Sequence, residues 1–243
     1  MKQDQAIMSQ AKMKQPMRRD RPVRQNLLLL TLIYLGLMLA GGSRLSAAFA
    51  IPHDFAEKAL AYMTQHGWTI QLGSFIELLS AIPLGVFIAT TVGRMRSLGV
   101  RAAGESIASL GGMGATLLLL LFALTNWSLT RAGVAEAAGA GIALRAVSFA
   151  AAGPGFVVML GFFVAGVSIA AGLHMNLPRW LMWFGIVIAL ACELAALTVL
   201  NFTAGYFIPV GRFGSIVWMI GLSLTLRTSI ADSTDDAEIY SAA

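Results

Sequence analysis

Six apolar blocks, each close to the length that crosses a bilayer and each followed by a short polar joint, constrain this chain more than any other feature. A transmembrane helix needs roughly 20 mainly apolar residues to traverse about 30 Å of hydrocarbon. A soluble fold would instead interleave apolar and polar residues at the period of an amphipathic helix or strand. Composition agrees with spans: 57% of the residues are hydrophobic and 12% charged, whereas soluble domains carry about a quarter charged residues. The expected fold is all-α, a polytopic bundle of six transmembrane helices with short interfacial helices on its outer side.

The blocks cover residues 27–42, 68–92, 104–126, 153–172, 180–200 and 207–226. They divide the chain into a basic tail (1–26), a six-helix membrane domain (27–227) and an acidic tail (228–243). Ala48-Phe49-Ala50 has the small-x-small form of a signal-peptide cleavage site. It lies past the charged Arg44, and the basic region before the apolar run is too long for a signal peptide, so an uncleaved first helix is expected. Between the first two spans, Asp54 and Glu57 have capping-box spacing, and Phe55, Ala59, Tyr62 and Met63 share one helical face. That pattern predicts a short helix lying in the interface. A second surface helix is expected in the Ala- and Gly-rich connector of residues 127–147.

The net charge is +5, and residues 1–26 supply seven basic and two acidic groups. Lys12, Lys14, Arg18, Arg19, Arg21 and Arg24 precede the first span closely enough for membrane topology to explain them, so nucleic acid is not an expected partner. Cytoplasmic loops collect Lys and Arg. The tail, with Arg94, Arg96 and Arg101, therefore places both termini in the cytoplasm. Asp232, Asp235, Asp236 and Glu238 make the far end a solvated acidic tail. The lone cysteine, Cys192, lies within a span and has no intramolecular partner.

Charged groups inside spans are costly and normally face a partner or a hydrated cavity. Glu77 and Glu193 are the two such carboxylates, each in the middle helix of its three-helix half and each about 12 Å below the outer surface at ~1.5 Å rise per residue. Together they form a candidate ion or substrate site, with mutual repulsion suited to holding a proton or cation. Packing contacts to Ser74, Ser80 or Thr198 are the structural alternative. Pro83, six residues after Glu77, is a candidate kink beside it. Arg131, Arg145 and Arg212 fall on the outer side as candidate lipid-headgroup or anion contacts, with plain interface anchoring as their alternative. Glu105, near Arg101, suits the first turn of the third helix.

The sequence has no nucleophile elbow, phosphate-binding loop, dinucleotide fingerprint or zinc-hydrolase motif, so no cofactor and no metal are expected. Trp68, Trp127, Trp180 and Trp183 lie at span ends as an interfacial belt, and Trp218 lies deeper. Two function classes follow. One is a small transporter or permease-like protein built around Glu77 and Glu193. The other is a non-catalytic accessory or regulatory subunit, whose Gly-rich third and fourth helices pack against a membrane-protein partner or a second copy.

The segments LPRWLMWFGIVIALACELAALTVL and FIPVGRFGSIVWMIGLSLTL resemble the C-terminal half of an uncharacterised bacterial inner-membrane family of about this length, classed as a domain of unknown function. The likeness rests on a Pro-Arg-Trp-Leu-like joint before the penultimate helix and an aromatic, Gly-rich closing helix. It implies a bacterial six-helix protein of the inner membrane, and it brings no activity and no functional residues.

Overall fold

The computed structural model describes residues 26–45, 65–97, 103–131, 133–134, 137–174 and 177–241. Every regular element among them is helical. The helices are α1 (Leu27–Leu45), α2 (Gly67–Ser97), α3 (Ala103–Ser128), α4 (Ala138–Ala150), α5 (Phe156–His174), α6 (Arg179–Leu194) and α7 (Phe207–Ser241). A π-helical turn, Ala151–Gly155, joins α4 to α5, and two short 3₁₀ turns, Ala195–Val199 and Phe202–Tyr206, lie between α6 and α7. Six helical stretches are long and apolar enough to cross a membrane, as the blocks predict. The basic tail, the Asp54 to Met63 segment, Arg101 and Glu136 lie outside the described residues.

Helix α1 shows how sequence becomes packing. Asn26 Oδ1 accepts from the Leu29 N–H at 3.4 Å and caps the first turn. Leu27, Thr31, Tyr34, Met38, Gly41 and Leu45 are then buried at alternating steps of four and three, a single seam turned to the bundle. The opposite face, with Leu29, Leu32 and Leu39, is exposed, as suits a helix whose other neighbour is lipid.

Consecutive spans pack side by side and α1 meets α7, which closes a ring in which α5 also touches α2 and α7. An aromatic ladder runs through those contacts: the Phe163 ring meets Phe87 at 6.2 Å and Trp218 at 6.1 Å, both edge to face. Trp218 is thus a core residue, whereas Trp68, Trp127, Trp180 and Trp183 are exposed at span ends, where a belt would sit.

Small residues set the closest crossing. A Cβ on Gly111 would stand 2.5 Å from Phe163 N and 2.6 Å from Met159 O. One on Gly166 would stand 2.5 Å from Gly104 O and 2.6 Å from Ala108 N. Helices α3 and α5 therefore touch backbone to backbone, the contact that small residues permit in membranes. The close packing expected of the Gly-rich third and fourth spans thus occurs within the chain.

Three boundaries differ from the sequence reading. The connector after α3 is short, because α4 starts at Ala138 and continues through the π turn as one apolar stretch, Gly139–Gly172. The helix expected in this connector does form, but it is continuous with the fourth span and tied to α3, where Asn126 Nδ2 donates to Ser148 Oγ at 2.7 Å. Glu105 pairs with Arg96 at 2.6 Å, because α2 extends to Ser97 and carries that arginine to the start of α3. Helix α7 runs on through the acidic stretch to Ser241.

Candidate functional site

The site begins with a break in the fourth span. Pro154 has no N–H to donate and its ring clashes with the preceding turn of a regular helix. Gly153 relieves this with φ −82° and ψ −109°, outside helical geometry. The Phe156 N–H consequently reaches Ala151 O, five residues back, and Gly153 O, three back, instead of the Ala152 O that a regular α-helix would offer it. Ala152 O receives a side-chain donor, Nη2 of Arg212 from α7. The same guanidinium lies over the Phe156 ring, 4.8 Å from its centroid. Arg212 is therefore anchored to the break by one hydrogen bond and one face contact. Its Nε is buried with no hydrogen-bond partner among the described residues.

Glu77 faces Arg212 across a cleft of about 350 Å³ between α1 and α7. Met38, Leu39 and Ser43 line it from α1, and Ile208, Pro209 and Phe213 from α7. Glu77 is 3% exposed and is let in by a glycine: a Cβ on Gly41 would lie 2.7 Å from its Cγ and 3.0 Å from its Oε1. Ser80 Oγ is 2.7 Å from Glu77 O and 3.4 Å from Oε2, so the main-chain oxygen takes the better share of that hydroxyl. Carboxylate and guanidinium are within electrostatic reach but form no direct ion pair. Tyr34, 1% exposed, is within electrostatic reach of both, and its hydroxyl has no hydrogen-bond partner among the described residues.

Glu193 has different neighbours. It is half-buried on α6 and turned to α5, where a Cβ on Gly161 would stand 2.9 Å from its Oε1. That oxygen is buried without a hydrogen-bond partner among the described residues. Helices α2 and α6 do not form a packed pair, so the carboxylates expected to act together face different helices. Each nonetheless fits against a glycine in the preceding span of its own half, Gly41 for Glu77 and Gly161 for Glu193. Ser74 bonds Ile70 O at 2.7 Å and Thr198 Oγ1 has no partner among the described residues, so of the three hydroxyls considered as packing partners Ser80 alone meets a carboxylate there.

The three arginines also separate. Arg131 lies 4.6 Å over Trp127 and bonds Thr130 Oγ1 at 3.1 Å at the end of α3, the anchoring arrangement. Arg145 is buried in α4. Arg212 alone meets a candidate carboxylate. Pro83 sits in a helix that continues through it and lies outside the cleft lining, so the discontinuity near the site comes from Gly153-Pro154 and not from Pro83. Tyr34 was missed by sequence reasoning, and the Gly153-Pro154-Gly155 break, read as the start of the fourth span, lies within it as a π turn. The available signals were a tyrosine in the 34–38–41 register of an otherwise aliphatic span, and a Gly-Pro-Gly flanked on both sides by apolar helix. Among the described residues no group of three or more His, Cys, Asp or Glu is placed to hold a metal ion.

No family model matches this sequence, and no curated protein or solved structure matches it either.

Proposed function

We propose that this chain is a small transporter or permease-like protein of the bacterial inner membrane, crossing it six times with both ends in the cytoplasm. The supporting observation is the cleft: a buried carboxylate and a guanidinium face one cavity without pairing, beside a break in the fourth span. Ionisable groups at membrane depth mark ion or substrate pathways, and discontinuous helices form many transporter sites. Under this reading Glu77 is the ion- or substrate-binding carboxylate, Arg212 its counter-charge and the anion contact, and Glu193 a second carboxylate in a separate environment. The basic residues before α1 and at the α2–α3 joint support the orientation, which turns Ser43 and Pro209, at the mouth of the cleft, to the outer face.

The test is uptake into proteoliposomes containing a pH-sensitive dye. Wild-type protein is offered radiolabelled inorganic ions, amino acids and fluorescent phospholipids under an imposed pH gradient. Movement of at least one class above empty vesicles, abolished by E77Q in a protein that still folds, is the expected result. Wild-type vesicles that match empty ones for every class would contradict transport.

A further inference from the structure

Resting on the reading of this cleft as the substrate site, we infer that its ligand is a zwitterionic phospholipid whose headgroup carries a primary ammonium beside a phosphodiester. Three observations lead there.

The first is charge. One anion, Glu77, and one cation, Arg212, line the same cavity, and neither is satisfied by the other. A lone cation would select an anion, and a lone carboxylate a cation. An unpaired couple selects a molecule carrying both charges a few bonds apart. The Arg212 fork keeps Nη2 on Ala152 O, while its Nε has no partner among the described residues. A guanidinium held in this way is suited to a phosphate oxygen. An ammonium supplies three donors for the Glu77 carboxylate, to which Ser80 Oγ makes only a long contact of 3.4 Å. The buried Tyr34 hydroxyl, within reach of both charges, is an additional unsatisfied polar group.

The second is where the cleft opens. It lies between α1 and α7, the first and last spans, and its rim residues Leu39 and Phe213 are 50% and 47% exposed on the bundle's outer surface. In a bilayer that surface faces acyl chains, so the opening is lateral and admits a ligand with tails remaining in lipid. A wholly water-soluble zwitterion has no use for such a slot.

The third is depth. Glu77 packs against Gly41, two residues before the exposed Ser43, and Arg212 follows the exposed Pro209 by three, so both charges stand only ~3–5 Å in helix rise below the mouth. The cleft thus holds its charges at the level a headgroup reaches while its tails stay in lipid.

The experiment is native mass spectrometry of the detergent-purified full chain titrated with dioleoylphosphatidylethanolamine and, in parallel, dioleoylphosphatidylglycerol, which has the same tails and phosphodiester but no ammonium. Wild type should prefer the ethanolamine lipid at least tenfold. Glu77→Gln, checked for an unchanged unfolding midpoint, should bring that preference to near parity, and Leu39→Trp, which narrows the mouth without touching either charge, should weaken both lipids together. Equal binding of the two lipids by wild type, or a preference that E77Q leaves intact, would overturn the inference. Glycerophosphoethanolamine, the same headgroup without tails, binding as tightly as the lipid would overturn the lipid assignment in favour of a soluble zwitterion. Movement of a fluorescent ethanolamine phospholipid between leaflets of proteoliposomes separates the two layers of the reading. Selective binding without movement keeps the ligand and rejects transport. Movement of soluble ions without selective lipid binding keeps transport and rejects the ligand.

Discussion

Nη2 of Arg212 donates to the main-chain oxygen of Ala152, sixty positions earlier in the chain, and so ties the last span to the break in the fourth. The carbonyl is open to a side chain because the π turn diverts the Phe156 N–H to Ala151 O. An arginine that would be costly in hydrocarbon is thereby held by a main-chain acceptor and an aromatic face, beside the cleft it shares with Glu77.

Arg212→Met should destabilise the fold as well as empty the cleft of its cation. A hydrogen bond from a charged donor contributes about 1.5–3 kcal/mol, and the contact with Phe156 adds ~0.5–2 kcal/mol. A lowered unfolding midpoint in detergent is expected, with Arg212→Lys intermediate because it keeps the charge but loses the fork.

Pro154→Ala restores a donor to the fourth span and removes the reason for the π turn. The helix should become more regular, so that Ala152 O recovers a main-chain partner and Arg212 is released. Removing the proline recovers about 3 kcal/mol and releasing Arg212 forfeits about 1.5–3 kcal/mol, so the expected outcome is an unfolding midpoint close to wild type together with reduced transport. A variant that loses both stability and transport would show that the break is not held in place by the proline.

Gly41→Ala places a methyl 2.7 Å from Glu77 Cγ, whereas Gly36→Ala, on the same helix, meets nothing within 4 Å. The first should cost ~1–3 kcal/mol through overpacking and displace the carboxylate. The second should be neutral or stabilising by up to about 1 kcal/mol through helix propensity. Thermal unfolding of the pair separates a steric requirement at Gly41 from a general effect of adding methyl groups to α1.

Gly111→Ala is expected at or above the upper end of that ~1–3 kcal/mol range, because its Cβ would meet the α5 backbone at Phe163 N, 2.5 Å away. A flexible side chain can yield to a methyl group, but two packed backbones cannot without moving a helix. A near-neutral midpoint would mean that α3 and α5 are not in backbone contact.

The six spans were legible because hydrophobic runs report directly on the solvent a helix faces, and helix ends followed from caps and joints to within a few residues. The exceptions were the far end of α7, which runs on to Ser241, and α4. Its Ala and Gly residues carry little hydropathy signal, and its membership of the fourth span depends on contacts such as Asn126 to Ser148, which lie outside any local window. The site was half legible. Glu77 was identifiable as a charge inside a span and Arg212 as a cation at a span end, but their meeting depends on the ring closing between α1 and α7, which no spacing encodes. Equal depth suggested Glu77 with Glu193, yet depth fixes only one coordinate, and the direction in which each helix faces separates the two.

The most direct measurement compares E77Q with E193Q in the same proteoliposome uptake assay, at matched reconstitution and with unfolding midpoints checked. If the site is the Glu77–Arg212 cleft, E77Q loses transport while E193Q, whose carboxyl faces Gly161 on another helix, keeps most of it. Equal loss in both variants, or transport retained by E77Q, would contradict the assignment.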